Sequence, residues 1–276
     1  MNSQPHIAFI GDLTIDKYVQ SGEIRLGGAA LNGAIWARKL GAKSSVVTTV
    51  GTDMPGKEMI KKLKKEHISK THLQIKHGNT SSIEINLNEK GDRSYGVWDP
   101  GTLANYHLRP KDINYLLDMD AVVVTIYPQF SHVVSELALV KKNVPNPPLI
   151  VINFGDLKEF HQDLSVVEEV LPFAGFCVFG LDSNADEGII NAIKSMARAS
   201  SAHMLITLAS NGSLVYKGTH SFVQSAKQVQ VVDTTGAGDS FLTAFLVTYL
   251  ETHDIQSALK NGTDLASGVI QRIGAY

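Results

Sequence analysis

The sequence is poor in cysteine: its 276 residues include one, Cys177. A single cysteine excludes a disulfide within the chain and is typical of proteins that work in a reducing compartment. Cys177 lies in a short apolar segment, residues 175–180, which predicts a buried strand. We therefore interpret it as a core thiol and not as a nucleophile.

The chain also lacks an excess of either charge, with 25 basic and 27 acidic residues. This balance argues against the basic surfaces by which proteins bind nucleic acids or anionic membranes. No apolar run approaches the roughly 20 residues that a membrane helix needs. The N-terminal residues show no basic segment followed by an apolar one, as a secretory signal would. We expect a cytoplasmic protein that has neither nucleic acid nor a membrane as its partner.

What the sequence does contain is a regular alternation of apolar strands and helices after Pro110. This alternation is typical of an α/β fold in which a largely parallel sheet lies between layers of helices. The chain is long enough for one such domain. The strands are predicted at residues 121–125, 149–153, 176–180 and 204–207, and the helices at residues 129–143, 164–171, 186–200 and 255–273.

The pattern differs between residues 71 and 98, where short strand-like pieces lie at 73–75, 82–87 and 94–97. The polar segment 88–92 predicts a hairpin turn between two of them. With a short strand at 18–24, these pieces predict a small sheet over the main domain, a lid contributed by residues 17–26 and 71–98. Arg93 follows the turn, so it either reaches into a closing site or lies exposed on an edge strand.

The most distinctive segment is the glycine turn, residues 233–239, with the sequence Asp-Thr-Thr-Gly-Ala-Gly-Asp. It follows a β-rich run at 228–232 and precedes an apolar, helical run. A glycine turn at a helix N-terminus presents free backbone N–H groups, which suit a phosphate or another oxyanion. Gly236 and Gly238 would let that anion approach closely. Asp239 is either a capping carboxylate or a general base beside the anion.

A second glycine pair, Gly27 and Gly28, precedes a helix of small residues. Asn32 falls one turn into this helix, where it either binds a substrate hydroxyl or satisfies local backbone groups. Asp12 and Asp16 follow the first predicted strand. Carboxylates beyond the carboxyl end of a strand lie where open α/β sheets bind ligands, although exposed loops carry aspartates too.

Residues 51–58, with the sequence GTDMPGKE, almost match a phosphate-binding loop. Glu58 stands where such a loop needs a hydroxyl for magnesium, and its charge would oppose a phosphate. The charge of Asp53, inside the loop, would also oppose a phosphate. We therefore interpret the segment as a turn before a helix at 56–66.

Together, these motifs resemble those of the ribokinase/PfkB family of carbohydrate kinases. Residues 233–239 are similar to the family's C-terminal signature, and the Gly27-Gly28…Asn32 pattern is similar to its N-terminal one. Residues 184–187 (NADE) fit the family's N-x-x-E element, and the order of motifs holds over nearly the whole chain. The resemblance implies a ribokinase-like three-layer α/β/α fold, with a mostly parallel central sheet and a small β-sheet lid.

The resemblance also implies ATP-dependent transfer of a phosphoryl group to a primary hydroxyl of a sugar. Asp239 would be the general base, and Gly236, Ala237 and Gly238 would form the turn that stabilises the developing charge. The residues implied for the sugar are Asp12, Asp16, Gly27, Gly28, Asn32 and Arg93. Those implied for the nucleotide are Asn184, Thr207, Gly212, Thr235 and Gly238. Glu187 would act on Mg²⁺ through water, and Asp233 would lie near a monovalent cation such as K⁺.

One departure concerns the nucleotide side. The family has a T-x-G-x-x-G run, whereas this chain has Ala209 in place of the first glycine, between Thr207 and Gly212. Alanine adopts a positive φ only at an energetic cost. Nucleotide affinity and donor preference therefore stay open.

Within the family, the chain length and the last residues, 270–276, resemble the fructosamine kinases, which phosphorylate sugar–amine adducts such as fructoselysine. Kinases of nucleosides, pseudouridine or other ketoses share the same motifs, so the acceptor stays open. A catalytically silent sugar-sensing homologue is a third interpretation, which only Ala209 favours. A Rossmann-type dehydrogenase is excluded because no G-x-G-x-x-G follows the first strand. The resemblance further implies a homodimer that forms through the lid.

Overall fold

The computed structural model describes residues 4–87, 93–141, 146–182 and 184–276. Its strands are β1 His6–Ile10, β2 Thr14–Tyr18, β3 Ile24–Gly27, β4 Lys43–Val46, β5 Thr49–Gly51, β6 Gln74–Lys76, β7 Ser82–Leu87, β8 Arg93–Asp99, β9 Ala121–Thr125, β10 Leu149–Asp156, β11 Phe176–Gly180, β12 His203–Thr207, β13 Ser213–Lys217 and β14 His220–Gln224. Its helices are α1 Ala29–Lys39, α2 Met54–Lys65, α3 Pro110–Leu116, α4 Val133–Lys141, α5 Ser165–Val170, α6 Glu187–Ala199, α7 Ala237–Thr252 and α8 Ile255–Val269. The predicted hairpin turn at 88–92 lies outside the described residues.

The central sheet has eight strands in the order β14-β13-β12-β11-β10-β9-β1-β4. The six strands from β12 to β4 are parallel, and β13 and β14 form an antiparallel hairpin at one edge. The carboxyl ends of the parallel strands therefore meet at one edge of the sheet. The predicted α/β/α fold with a mostly parallel central sheet is confirmed.

Alternate residues of the inner strands enter two hydrophobic clusters, one on each face of the sheet. In β9, Val122 and Val124 belong to one cluster, and Ala121 and Val123 belong to the other. Helices α3 to α6 cover the first face, and α1, α2, α7 and α8 cover the second. Burial on both faces explains why these strands are apolar throughout and do not alternate with polar residues.

A second sheet is formed by β3, β2, β7 and β8 in that order. β2 pairs antiparallel with β3 and parallel with β7, and β7 pairs antiparallel with β8. The predicted strand at 73–75 is not part of it, because β6 pairs with β5 in a separate two-stranded sheet. The pairing of β6 with β5 depends on backbone hydrogen bonds between separate segments of the chain, and the local sequence pattern of residues 73–75 does not encode them.

Two sequence predictions about strands were wrong. Residues 18–24 do not form one strand, because the chain reverses there: Tyr18 N–H donates to Glu23 O and Gly22 N–H donates to Tyr18 O. The β-rich run at 228–232 forms no strand either. The Val232 N–H donates to the carbonyl of Ile270 at the end of α8, so a helix terminus takes the place of a neighbouring strand.

Several helices begin or end at residues other than the predicted ones. The closing helix, predicted at 255–273, ends at Val269, and the helix predicted at 129–143 begins only at Val133, after a 3₁₀ turn at Pro128–Phe130. The helix predicted at 56–66 begins at Met54, because Asp53 caps it by accepting from Gly56 N–H. Within the described residues, no helix is both long enough and apolar enough to cross a membrane.

Candidate active site

The glycine turn places Asp239 in the first turn of α7, as the sequence predicts. Gly236 is the N-cap residue and has φ 76°, a left-handed conformation that favours glycine. Gly238 has no positive φ, and a Cβ atom added there would enter open space. The N–H of Ala237 donates within the turn, to Thr234 O at 3.2 Å, so it is less available to a ligand than the sequence suggested. The open position at this helix N-terminus is therefore Gly238.

The second glycine pair meets this turn through a side chain. Gly28 is the N-cap of α1 with φ 99°, and Asn32 lies in the first turn of that helix. Asn32 Nδ2 donates to Asp239 Oδ2 at 2.8 Å. Asn32 is 4% exposed, and its Oδ1 is buried without a hydrogen-bond partner among the described residues. The contact joins the N-termini of α1 and α7 at one site.

Asp12 is buried beside the same helix start. Its Oδ1 accepts from the backbone N–H of Ala29 at 3.0 Å and from the hydroxyl of Tyr127 at 2.9 Å. Burial raises the pKa of Asp12 to about 6, the Tyr127 hydrogen bond opposes that shift, and the nearby carboxylate of Asp239 adds to it. Asp12, Asn32 and Asp239 therefore form one polar cluster at the carboxyl edge of the sheet.

Tyr127 is a member of this cluster that the sequence analysis missed. It follows the carboxyl end of β9, at the same edge of the sheet where Asp12 follows β1, so its position was the available signal. Its ring lies 5.2 Å from that of Trp98 in β8, measured between centroids. Burial raises the pKa of Tyr127 well above its ordinary value, which keeps the hydroxyl a proton donor to Asp12. The second sheet thus contacts the main domain beside Asp12.

The glycine turn is also tied to the second sheet through Asp233, which is fully buried. Its Oδ1 accepts from Thr235 N–H at 2.8 Å, and its Oδ2 accepts from Gly274 N–H at 2.8 Å and from the hydroxyl of Tyr18 in β2 at 3.3 Å. The carboxylate of Asp233 therefore accepts hydrogen bonds from three protein donors. Thr235 is 4% exposed and lies 3.5 Å from the same Tyr18 hydroxyl.

Residues 273–276 pack against the glycine turn and hold it in position. Trp36 Nε1 donates to Ala275 O at 2.9 Å, and the Tyr276 hydroxyl donates to Leu26 O at 2.6 Å. A Cβ atom added at Gly236 would collide with Ala275. This fit explains why glycine is needed at position 236 for space as well as for its φ.

Gly27 and Gly28, which were predicted to contact the sugar, bring the backbone close to Asp16 and Asp12. A side chain at Gly27 would collide with the carboxylate of Asp16, and one at Gly28 would collide with the backbone of Asp12. Asp16, in β2, is 6% exposed. Arg93 begins β8, and its side chain lies outside the described part of the structure.

On the nucleotide side, Thr207 ends β12, and its hydroxyl donates to Phe179 O at 3.4 Å. Gly212 has φ 93°, and a Cβ there would collide with Gln224 O. The fold therefore requires glycine at this position, apart from any contact with a nucleotide. Ala209 has φ 47°, the left-handed conformation that the sequence analysis expected to be costly for alanine. Ala209 therefore adopts a conformation that glycine would favour.

Asn184 and Glu187 follow the carboxyl end of β11, and both are exposed. Asn184 does not cap the following helix, because Asp186 is the N-cap and accepts from Gly188 N–H at 2.6 Å. Glu187 is the first residue of α6. Over the ranges that the structure describes, no group of three or more His, Cys, Asp or Glu side chains is placed to hold a metal ion.

The loop that almost matches a phosphate-binding motif is filled by its own side chain. Asp53 Oδ1 accepts from the Gly56 N–H and from the hydroxyl of Thr80, and Oδ2 accepts from the Thr80 N–H. Burial works against the charged form, but these hydrogen bonds outweigh it and lower the pKa of Asp53. The segment is a structural turn, as interpreted from the sequence.

Two features lie away from this site. Cys177 is buried, and burial raises its pKa to about 12, which confirms an unreactive core thiol.

A cavity of about 590 Å³ lies at the amino ends of the strands, lined among others by Asp120, Phe173 and Tyr249. It is at the opposite edge of the sheet from Asp239, so it takes no part in the cluster.

The chain is similar to known proteins in both sequence and fold. Residues 7–143 and 168–276 match the pfkB family of carbohydrate kinases. The chain is 28% identical to a fructoselysine 6-kinase of Shigella flexneri over 98% of this chain and 99% of that protein, and 25% identical to a fructosamine kinase of Bacillus subtilis over 97% and 91%. The crystal structure of adenosine kinase from Sinorhizobium meliloti has the same fold, with a TM-score of 0.83, 20% identity and coverage of 99% and 96%.

The family assignment made from the sequence motifs is therefore confirmed, since the match spans most of the chain and includes both glycine turns. The chain belongs to the pfkB family of carbohydrate kinases and is a phosphotransferase that acts on an alcohol group.

Proposed function

We propose that this kinase transfers the γ-phosphoryl group of ATP to the 6-hydroxyl of a fructosamine, with fructoselysine as the expected acceptor. The observation that carries the proposal is the 2.8 Å hydrogen bond from Asn32 to Asp239, which brings both glycine turns to one site. The similarity to a fructoselysine 6-kinase along nearly its full length supports this acceptor. Sugar phosphorylation by this family is the broader statement on which it rests.

Asp239 is proposed as the general base. Its carboxylate is partly exposed at the N-terminus of α7, and the hydrogen bond from Asn32 fixes its orientation. It would accept the proton of the sugar hydroxyl as that oxygen attacks the γ-phosphorus of ATP. Because phosphoryl transfer has a loose transition state, positioning and charge stabilisation outweigh proton removal.

Gly238 is proposed as the centre of the phosphate cradle. It is the second residue of a 16-residue helix, where the backbone N–H has no partner within the helix and the helix dipole is positive. No atom lies within 4 Å of a Cβ atom built at Gly238, so this side of the residue is open to a phosphate group. Gly236 shapes the turn, and Ala237 contributes more weakly because its N–H already donates to Thr234. ATP supplies the transferred group, and these donors stabilise the charge on it.

The acceptor sugar is proposed to lie between Asp12, Asp16 and Asn32. The buried Oδ1 of Asn32 is an acceptor for one sugar hydroxyl. Gly27 and Gly28 let the backbone lie against Asp16 and Asp12, the two carboxylates proposed to hold the sugar, because a Cβ atom at either glycine would collide with one of them. Arg93 at the start of β8 remains a predicted contact to the substrate.

The nucleotide is proposed to extend along the carboxyl edge toward β11 and β12, which are three and four strands from β1. The residues proposed to contact it are Asn184, Thr207, Gly212, Thr235 and Gly238. Glu187, exposed at the start of α6, would contact the Mg²⁺ of the nucleotide through water. K⁺ near Asp233 also stays a prediction, and rates in potassium and sodium buffers of equal ionic strength test it.

The second sheet is proposed to act as the lid that excludes water. It is also proposed to pair with the second sheet of another copy, because it carries large exposed apolar side chains. Ile24 and Val97 are 66% and 70% exposed. Light scattering should give a dimer, and Ile24→Lys should shift it toward the monomer; a monomer at every protein concentration would exclude the pairing.

A coupled assay of ADP release, run over fructosamines, free sugars and nucleosides, tests the proposed function. We expect fructoselysine to give the highest kcat/KM. Turnover of nucleosides or pseudouridine without turnover of fructosamines would replace this acceptor by another within the family. A complete lack of turnover with every acceptor, in protein that still binds a sugar, would favour the silent sensing homologue.

A further inference from the structure

A side pocket of about 360 Å³ lies between the edge strand β3, helix α2 and residues 274–276. The charged residues that line it are Asp16, Glu23, Arg25 and Lys62, and Tyr276 forms part of its wall. Asp16 is 6% exposed, whereas the side chains of Glu23 and Arg25 are 46% and 32% exposed. The side pocket therefore runs from a buried end at Asp16 to a charged rim in solvent.

The two cations of the side pocket are held in place. Arg25 Nη1 donates to Ile273 O at 3.0 Å, and its Nε donates to Glu23 Oε1 at 2.9 Å. Lys62 Nζ lies 3.0 Å from Glu66 Oε1 and 4.5 Å from the centre of the Tyr276 ring. Fixed charged groups lose little entropy when they bind a ligand, so they make an efficient recognition surface.

The buried end of the side pocket touches the proposed acceptor site. Asp16 and Arg25 are direct cross-strand partners in β2 and β3, so their side chains project on the same face of the second sheet. The carboxylate of Asp16 packs on Gly27, and the next residue, Gly28, caps the helix that carries Asn32. A sugar bound at Asn32 and Asp16 would thus direct a substituent into the side pocket.

We propose that the side pocket binds the amino-acid end of the acceptor. The two cations and the carboxylate at the rim match a zwitterion: Arg25 and Lys62 bind the α-carboxylate, and Glu23 lies near the α-ammonium group. The volume is in the range of pockets that enclose small organic ligands. This inference rests on the proposed function, because fructoselysine carries a lysine on its sugar.

The test compares fructoselysine with the fructose adduct of cadaverine, which has the same sugar, amine and chain but no α-carboxylate. For the unaltered chain we expect kcat/KM to be at least tenfold lower with the cadaverine adduct, mainly through KM. Lys62→Gln should reduce that preference to a few fold. Lys61→Gln is the matched control: Lys61 is the neighbouring residue, its side chain is 71% exposed, and it pairs with Glu58 outside the side pocket.

The outcomes separate this inference from the proposed function. Equal kcat/KM for the two adducts would leave a fructosamine kinase and overturn the side pocket as the amino-acid site. A loss of preference in Lys61→Gln as large as that in Lys62→Gln would also overturn it, because general surface charge would then explain the effect. If only free sugars or nucleosides were phosphorylated, the proposed function would fail first, and this inference with it.

Discussion

Asn32 Nδ2 and Asp239 Oδ2 are 2.8 Å apart, although 207 positions separate the two residues in the chain. Each residue lies in the first turn of a helix that begins at a glycine, Gly28 for α1 and Gly236 for α7. The contact therefore fixes how the two helix N-termini face one another. Because Nδ2 can only donate, Asp239 Oδ2 is held as the acceptor of this hydrogen bond.

Asp239→Asn should lower kcat about 10²–10⁴-fold, the usual contribution of a positioned general base. Asparagine has the same shape and can still accept from Asn32, so nucleotide binding should change little. Single-turnover kinetics and nucleotide titration would measure the two effects separately. Asp264→Asn, on α8, removes a carboxylate that pairs with Lys227 and Lys260, and it should leave kcat unchanged. Unchanged turnover in Asp239→Asn would refute the assignment of the base.

Gly238→Ala should reduce kcat/KM at least tenfold without destabilising the fold. The added methyl group enters the open space proposed for the phosphate, while alanine is the better helix former by about 1 kcal/mol. Gly268→Ala is the control, since Gly268 lies in α8 and its Cβ would also meet open space. It should raise the free energy of unfolding by a similar amount and leave activity intact. Full activity in Gly238→Ala would place the phosphate elsewhere.

Sequence patterns predicted the central sheet well because burial on both faces makes its strands apolar throughout. They failed where a distant partner decides the structure. Residues 228–232 have the composition of a strand, yet Val232 bonds to the end of α8. β6 pairs with β5 and not with the second sheet. In each case the backbone hydrogen-bond partner is set by the tertiary fold.

The candidate site was predictable to a similar degree. Glycines and carboxylates at strand ends and helix starts have local reasons that a sequence shows, so Asp12, Asn32 and Asp239 were predicted, and the structure places them close together. Tyr127 was missed because a tyrosine near a strand end is as often a packing residue. The need for glycine at position 236 also depends on Ala275, which only the folded chain brings against it.

Ala209→Gly should not destabilise the protein, unlike most substitutions of alanine by glycine. Ala209 has φ 47°, and an alanine in that conformation costs roughly 1 kcal/mol, which offsets the entropy that glycine adds to the unfolded chain. Ala192→Gly, inside α6, should lower the free energy of unfolding by about 1 kcal/mol. Urea denaturation of both variants checks the contrast. An equal loss in both would show that Ala209 carries no strain.

The buried carboxyl group of Asp12 should cost stability progressively between about pH 4 and pH 6, and in full above that window. Its pKa is about 6 in the folded protein, against 3.8 for the ordinary group, because burial disfavours the charged form. The folded state therefore binds more protons than the unfolded state between about pH 4 and pH 6, so this residue's contribution to stability falls as the pH rises through that window. The shift corresponds to about 3 kcal/mol.

Asp12→Asn keeps an acceptor for Tyr127 and Ala29 but removes the charge. The variant should gain up to about 3 kcal/mol in the free energy of unfolding at pH 8, relative to its difference from the unaltered chain at pH 4. Asp118→Asn, at an exposed position, is the control for a change of surface charge and should show no such gain. If the ionised carboxylate binds the sugar, the stabilised variant should also lose kcat/KM, because the buried charge is kept for binding at the expense of stability. A pH-independent difference between Asp12→Asn and the unaltered chain would mean that Asp12 ionises as an ordinary carboxyl group.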